Sequence, residues 1–266
     1  MNNFGVFGRR EKIKLTDYIN SYYPFTFKNN VQISFESLAN HSSGLPRLPD
    51  NLKPKNPMNP YKDYGKKEIK LYLTNSLKIE SKPQTTYAYS NLGAGLLGYT
   101  LGLSQEMNFQ DLLQKKVFDK YKMKNSFTSS QNLKDNLIKG LNKNGEVVSN
   151  WDFDVLFGAG GVLSTTEDLA TFAKAQFNAK NSALALTRKP TFTVNDKMKM
   201  GLGWHILKSD NDKEIFRHNG GTGGYSSSMA ISVDEKTAVI ILSNVSGIND
   251  KVDALCFELL KQTIKE

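Results

Sequence analysis

His218-Asn219-Gly220-Gly221-Thr222-Gly223-Gly224-Tyr225 sets a titratable imidazole directly before a dense run of glycines. Apolar segments of strand character flank the run. Ile215-Phe216-Arg217-His218 reads as the end of one strand, and Ser226 to Ser232 and Thr237 to Ser243 read as two more. Glycine inside a strand pattern is costly and marks a bulge or a close backbone approach. Two readings fit the segment alone: a ligand lying along the strand edge beside the histidine, or a glycine-rich hairpin carrying a surface histidine.

Outward from this stretch the period of two continues. Gly201 to Leu207, Glu214 to His218, Ser226 to Val233 and Thr237 to Ser243 predict an antiparallel meander, with Asp234-Glu235-Lys236 as a hairpin turn. A last helix places Val252, Leu255, Cys256, Leu259 and Leu260 on one face, where it covers one side of the sheet and Cys256 reads as a buried structural thiol. Upstream the pattern is mainly helical. Asn91 to Leu103 is apolar on nearly all sides, as in a buried helix whose Gly93, Gly95 and Gly98 permit close packing. Asn108 predicts the cap of a helix carrying Phe109, Leu112, Leu113 and Phe118, and Ser164 with Glu167 reads as a capping box. Pro46, Pro49, Pro54, Pro57 and Pro60 make residues 45 to 60 a long irregular excursion of the kind that is often functional. The expected organisation is one domain over 1–266, with a mainly helical lobe over 11–200 and an antiparallel sheet with a C-terminal helix over 201–266. A cleft between lobes is a favoured small-molecule site.

Composition narrows the function classes. With 39% hydrophobic and 23% charged residues the chain is a packed globular protein. No run of 18 apolar residues exists, so no transmembrane helix is expected. The net charge of +9 is spread along the sequence with no nucleic-acid-binding module, so no nucleic-acid partner is expected; a basic surface also suits an anionic envelope or cell-wall setting. His41, His205 and His218 show no metal-ligand spacing, and neither a metal nor another cofactor is expected.

Tyr87-Ala88-Tyr89-Ser90-Asn91 precedes the buried helix. In a cleft, a phenol there could exchange protons and an amide could hold a polar group, while the plain alternative is that Ser90 or Asn91 caps the helix. Four segments in order are informative together: Leu38-Ala39-Asn40-His41-Ser42-Ser43-Gly44-Leu45-Pro46; Tyr89-Ser90-Asn91-Leu92-Gly93; Gly158-Ala159-Gly160-Gly161-Val162-Leu163-Ser164-Thr165; and Gly201-Leu202-Gly203-Trp204 before His218-Asn219-Gly220. This set resembles the β-lactamase-related serine hydrolases: class C β-lactamases, D-alanyl-D-alanine carboxypeptidases and related esterases. The resemblance runs from about residue 11 to the C-terminus. It implies an α+β fold of the penicillin-recognising transpeptidase type, and acyl transfer on a small-molecule or peptide amide or ester. It assigns Tyr89 to proton transfer and Asn91 to substrate contact. It matches His218-Asn219-Gly220 to the family's Lys-Thr-Gly strand, with histidine for lysine, and the N–H of Gly221 to an oxyanion-hole donor. His41 and Ser43 fall in what is mainly a structural turn in the family, and Trp204 reads as core.

The family's nucleophile motif, Ser-x-x-Lys, occurs nowhere in the 266 residues. In the family it opens a helix before the segment matching Lys12 to Asp17, and Met1 to Arg10, with Gly5 and Gly8, does not read as that helix. The expectation is therefore a chain without the nucleophile helix and the N-terminal strands, inactive as it stands. A truncated gene product, a fragment and a pseudoenzyme that binds peptidoglycan-like or acyl ligands all fit. An unpaired sheet edge open to self-association follows from this, and a periplasmic or cell-envelope location follows for the full-length family member.

Overall fold

The computed structural model describes residues 13–131, 133, 136–209 and 212–264. The expectation placed on Met1 to Arg10 falls outside them. Six strands form one antiparallel sheet in sequence order: β1 (Phe192–Asn195), β2 (Met198–Met200), β3 (His205–Lys208), β4 (Glu214–Gly221), β5 (Ser226–Ser232) and β6 (Thr237–Ser243). The meander is as expected from β3 onward. The sheet, however, begins at Phe192 rather than near residue 201. β1 and β2 are short, with Lys197 in the turn between them and Lys199 in β2, so no clean alternation announces them.

The helices are α1 (Phe35–Ala39), α2 (Lys66–Leu71), α3 (Asn91–Ser104), α4 (Phe109–Leu113), α5 (Asp119–Tyr121), α6 (Thr166–Gln176), α7 (Ser182–Thr187) and α8 (Asn249–Thr263). Among the described residues none is long and apolar enough to cross a membrane. Their caps follow from sequence. Asn108 Oδ1 accepts from the Asp111 amide at 2.7 Å, and Ser90 Oγ accepts from the Gly93 amide at 2.9 Å. The cap of α6 is Thr165, accepting from the Asp168 amide, one residue later than the Ser164 expected. Ser164 instead bonds the Ser126 hydroxyl.

Strand alternation divides the core. Ile215 and Ala230 face α8, where they pack with Cys256 and Leu260. Phe216 and Ile231 face the other way and pack with Trp204, Ile206 and Ala173 of α6. The core of the helical lobe surrounds α3: Leu92 and Leu96 are fully buried among Tyr72, Leu73, Leu38 and Leu156. A side chain at Gly95 would meet Leu156 at 2.6 Å, which is why this helix tolerates glycine. The face of β4 that carries Phe216 also carries His218 and Gly220, so both are turned away from α8.

Candidate active site

Three separate stretches converge on the N-terminus of α3. The turn after α1 brings His41. The irregular excursion brings Arg47, and the residue just after it is Tyr61. The segment before α3 brings Tyr87 and Tyr89, α3 itself opens with Asn91, and the sheet supplies His205 from β3 and His218 from β4. Tyr89 and His218, expected to share a site, have ring centroids 6.4 Å apart. The row extends on both sides: His41 stacks on Tyr89 at 4.4 Å, and His205 lies 5.5 Å from His218. Tyr87 Oη closes the row, 2.9 Å from His205 Nε2. All three histidines of the chain thus meet in one place, which their spacing in sequence does not suggest. Among the described residues no group of three potential ligands could hold a metal ion.

His41 is buried and adopts a left-handed backbone at φ 58°. Its carbonyl accepts from the Ala88 amide at 2.8 Å and its Nδ1 accepts from the Ser90 amide at 3.2 Å. The two bonds hold Tyr89 between them. A backbone N–H can only donate, so Nδ1 is unprotonated and the ring is neutral. Burial first, then the neighbouring His218 and His205, lowers its pKa to about 3. Burial, with His218 and Arg217 adding to it, lowers His205 to about 4.

His218 is also shifted down, chiefly by burial, with a bond to Asn219 opposing. Its Nδ1 lies 2.7 Å from the Asn219 carbonyl oxygen, which can only accept. Nδ1 therefore carries the proton, and Nε2 is left as an acceptor. Burial raises the Tyr89 phenol, opposed by Arg47, whose guanidinium carbon stands 5.2 Å from the ring centroid. At neutral pH the wall is thus a neutral phenol facing neutral imidazoles.

Asn91 is the first residue of α3, and Ser90, not Asn91, is its cap. The Asn91 amide donates to Tyr61 Oη at 3.1 Å, and Tyr61 stacks on Phe153 at 4.6 Å. Asn219, by alternation, turns its side chain to the α8 face; what it gives the His218 side is its carbonyl. The two glycines differ. A side chain at Gly220 would meet only Ser227 Oγ, at 2.8 Å, so the wall beside His218 is otherwise open. At Gly221 it would strike the Asn249 amide of α8 at 2.3 Å. Asn249 Nδ2 donates to the Gly220 carbonyl at 2.5 Å, fixing this end of β4. Sequence reasoning missed Arg47, Tyr61, Tyr87 and His205 as neighbours of the site. Only the Pro- and Asn-rich composition of residues 45 to 60 pointed toward Arg47; Tyr61 lies just past that stretch.

The comparisons with known proteins bear on the family and the fold. A family model described as Beta-lactamase matches residues 9–256. The chain is 28% identical over 273 residues to Beta-lactamase-like protein 4 of Dictyostelium discoideum, covering 87% of this chain and 46% of that protein. It is 25% identical over 202 residues to Penicillin-binding protein 4* of Bacillus subtilis (strain 168), covering 66% and 44% respectively. The chain thus spans about half the length of the curated relatives it matches. Among solved structures, a class C β-lactamase superposes with a TM-score of 0.79 at 20% identity, covering 96% of this chain and 76% of that one. A β-lactamase/D-alanine carboxypeptidase from Pseudomonas syringae gives 0.77 at 19% identity, covering 96% and 78%. At these identities the structural likeness shows the fold, and the family model covers nearly the whole sequence. The chain belongs to the β-lactamase family of serine hydrolases.

Proposed function

We propose that this chain carries the proton-transfer and substrate-holding walls of a serine hydrolase acting by acyl transfer on an amide or ester. One observation carries the reading: Tyr89 and His218, from different lobes, face each other at 6.4 Å beside the open wall at Gly220. In this scheme Tyr89 passes a proton between the attacking hydroxyl and the leaving group. Asn91 holds a polar atom of the substrate. His218 Nε2 accepts a hydrogen bond from substrate or from the Tyr89 phenol, and the backbone of Asn219, Gly220 and Gly221 lines the acyl group.

The attacking serine and its lysine are a separate matter, because no Ser-x-x-Lys stands in these 266 residues. Losing a serine nucleophile alone removes roughly six orders of magnitude of turnover. The second reading, a binding module for acyl or peptidoglycan-like ligands without turnover, rests on that observation. Intact-mass analysis after exposure to a fluorescent penicillin and a fluorophosphonate tests the nucleophile, and titration with acetamide, followed through the His218 imidazole signals, tests the site. No covalent adduct and a saturable His218 response are expected. An adduct would show that the chain carries a nucleophile of its own. A silent His218 would remove the acyl-site reading.

A further inference from the structure

A cavity of about 230 Å³ opens beside His218, lined by Phe172 of α6, Leu184 and Thr187 of α7, and Leu202 and Trp204 before β3. Its walls are aromatic and aliphatic apart from the His218 imidazole and the Thr187 hydroxyl, which already donates to the Leu184 carbonyl at 2.7 Å. An apolar cavity of about 150 Å³ is large enough to hold benzene.

Among the described residues, the arginines nearest to it are engaged elsewhere. Arg217, next to His218 on β4, alternates to the opposite face and pairs with Asp253 of α8 at 2.5 Å. Arg188, just after α7, lies over the Phe216 ring and donates to Gln176. Arg47 stands over Tyr89, with its guanidinium against that ring rather than against the cavity. His218 itself turns its Nδ1–H to the Asn219 carbonyl. A carboxylate placed here would lose water and gain no cation from the described residues, which is strongly unfavourable; an apolar group would gain by burial.

We propose that this cavity is a subsite of the acyl site and that it takes an uncharged apolar group of the substrate, about the size of a phenyl ring or a short branched alkyl chain. The inference rests on the acyl-site reading above and names the substrate class for it: esters or amides that present an apolar group beside His218, not a free carboxylate.

Three amides separate the outcomes. Phenylacetamide carries the ring, succinamate carries a carboxylate in its place, and acetamide carries neither. Binding is read from Trp204 emission in a Trp151→Phe background, since the chain has only two tryptophans, and from the Tyr89 and His218 NMR signals. Phenylacetamide is expected to bind roughly ten-fold or more tighter than acetamide and succinamate. Leu184→Phe and, separately, Leu202→Phe, which fill the cavity, are expected to abolish that advantage while the acetamide response stays. Equal affinities, a preference for succinamate, or an advantage that survives both fillings would overturn the subsite and leave the acyl site standing. If Tyr89 and His218 respond to none of the amides, the acyl-site reading falls, and the subsite falls with it.

Discussion

At the scale of single residues, His41 shows how much of the site depends on one residue with a strained backbone. Its φ of 58° is tolerated by few residue types, and its Nδ1 occupies a buried amide that would otherwise have no partner. His41→Leu is expected to cost about 1–3 kcal/mol in denaturant unfolding, because the Ser90 amide is stranded. His41→Asn is expected to recover most of that loss, since Asn accepts the left-handed backbone and places an oxygen at the same position in the side chain. The histidines also set an acid limit. Unfolded imidazoles titrate near 6.5, whereas His41 and His205 are held at about 3 and about 4 in the fold. Between about 4 and 6.5 the unfolded chain therefore binds more protons, and stability falls as the pH drops through that window. Each histidine adds up to about 1.4 kcal/mol per pH unit to the slope. Melting temperatures measured from pH 7 down to 4.5 should fall more gently for His205→Phe than for the parent chain. The sequence brought Tyr89 and His218 together through a motif order. It placed His41 in a turn of the same motif set and Tyr87 two positions before Tyr89 without assigning either to the site, and it could not bring His205, which meets Tyr87 only when the sheet packs against the helical lobe.

At the scale of elements, β4 and α8 are fastened at two points, and both explain residues that look functional in sequence. Arg217 pairs with Asp253, whose other oxygen accepts from Ser228 at 2.8 Å. Asn249 reaches the Gly220 carbonyl and occupies the space a side chain at Gly221 would need. Gly221→Ala is expected to cost about 1–3 kcal/mol by overpacking. Asn249→Ala should relieve part of that cost, and a double-mutant cycle in urea would read the coupling directly. Absence of coupling would mean that the strand end shifts independently of the helix. Here the glycine signal was legible but mixed: Gly220 borders the open wall, while Gly221 serves the packing of α8. α3, apolar on nearly all sides and capped by Ser90, could be read from sequence almost to its ends; α8 has no side-chain cap, and of the face expected for it Val252, Cys256 and Leu260 are buried while Leu255 and Leu259 are exposed. β1 and β2 could not be read, because three- and four-residue strands with lysines in and between them carry no alternation that outweighs a loop reading.

At the scale of the whole molecule, the sheet ends on β6, an Ala-Val-Ile-Ile-Leu strand with neither charge nor proline and, among the described residues, no strand on its outer side. Leu242 is 40% exposed on it. Such an edge is a template for another strand. Sedimentation at rising protein concentration is therefore expected to show association, and Leu242→Lys is expected to suppress it while leaving the melting temperature nearly unchanged. The Tyr87–His205 bond is the other large-scale feature, since its partners lie 118 positions apart in the chain. Ribosomes deliver polypeptide from the N-terminus, so the helical lobe can condense while the strands are still inside the exit tunnel. Tyr87 then waits, its hydroxyl in water, until more than a hundred further residues have emerged. The cleft therefore cannot close before His205 and His218 have emerged, and a chain released short of them would lack the sheet wall of the site.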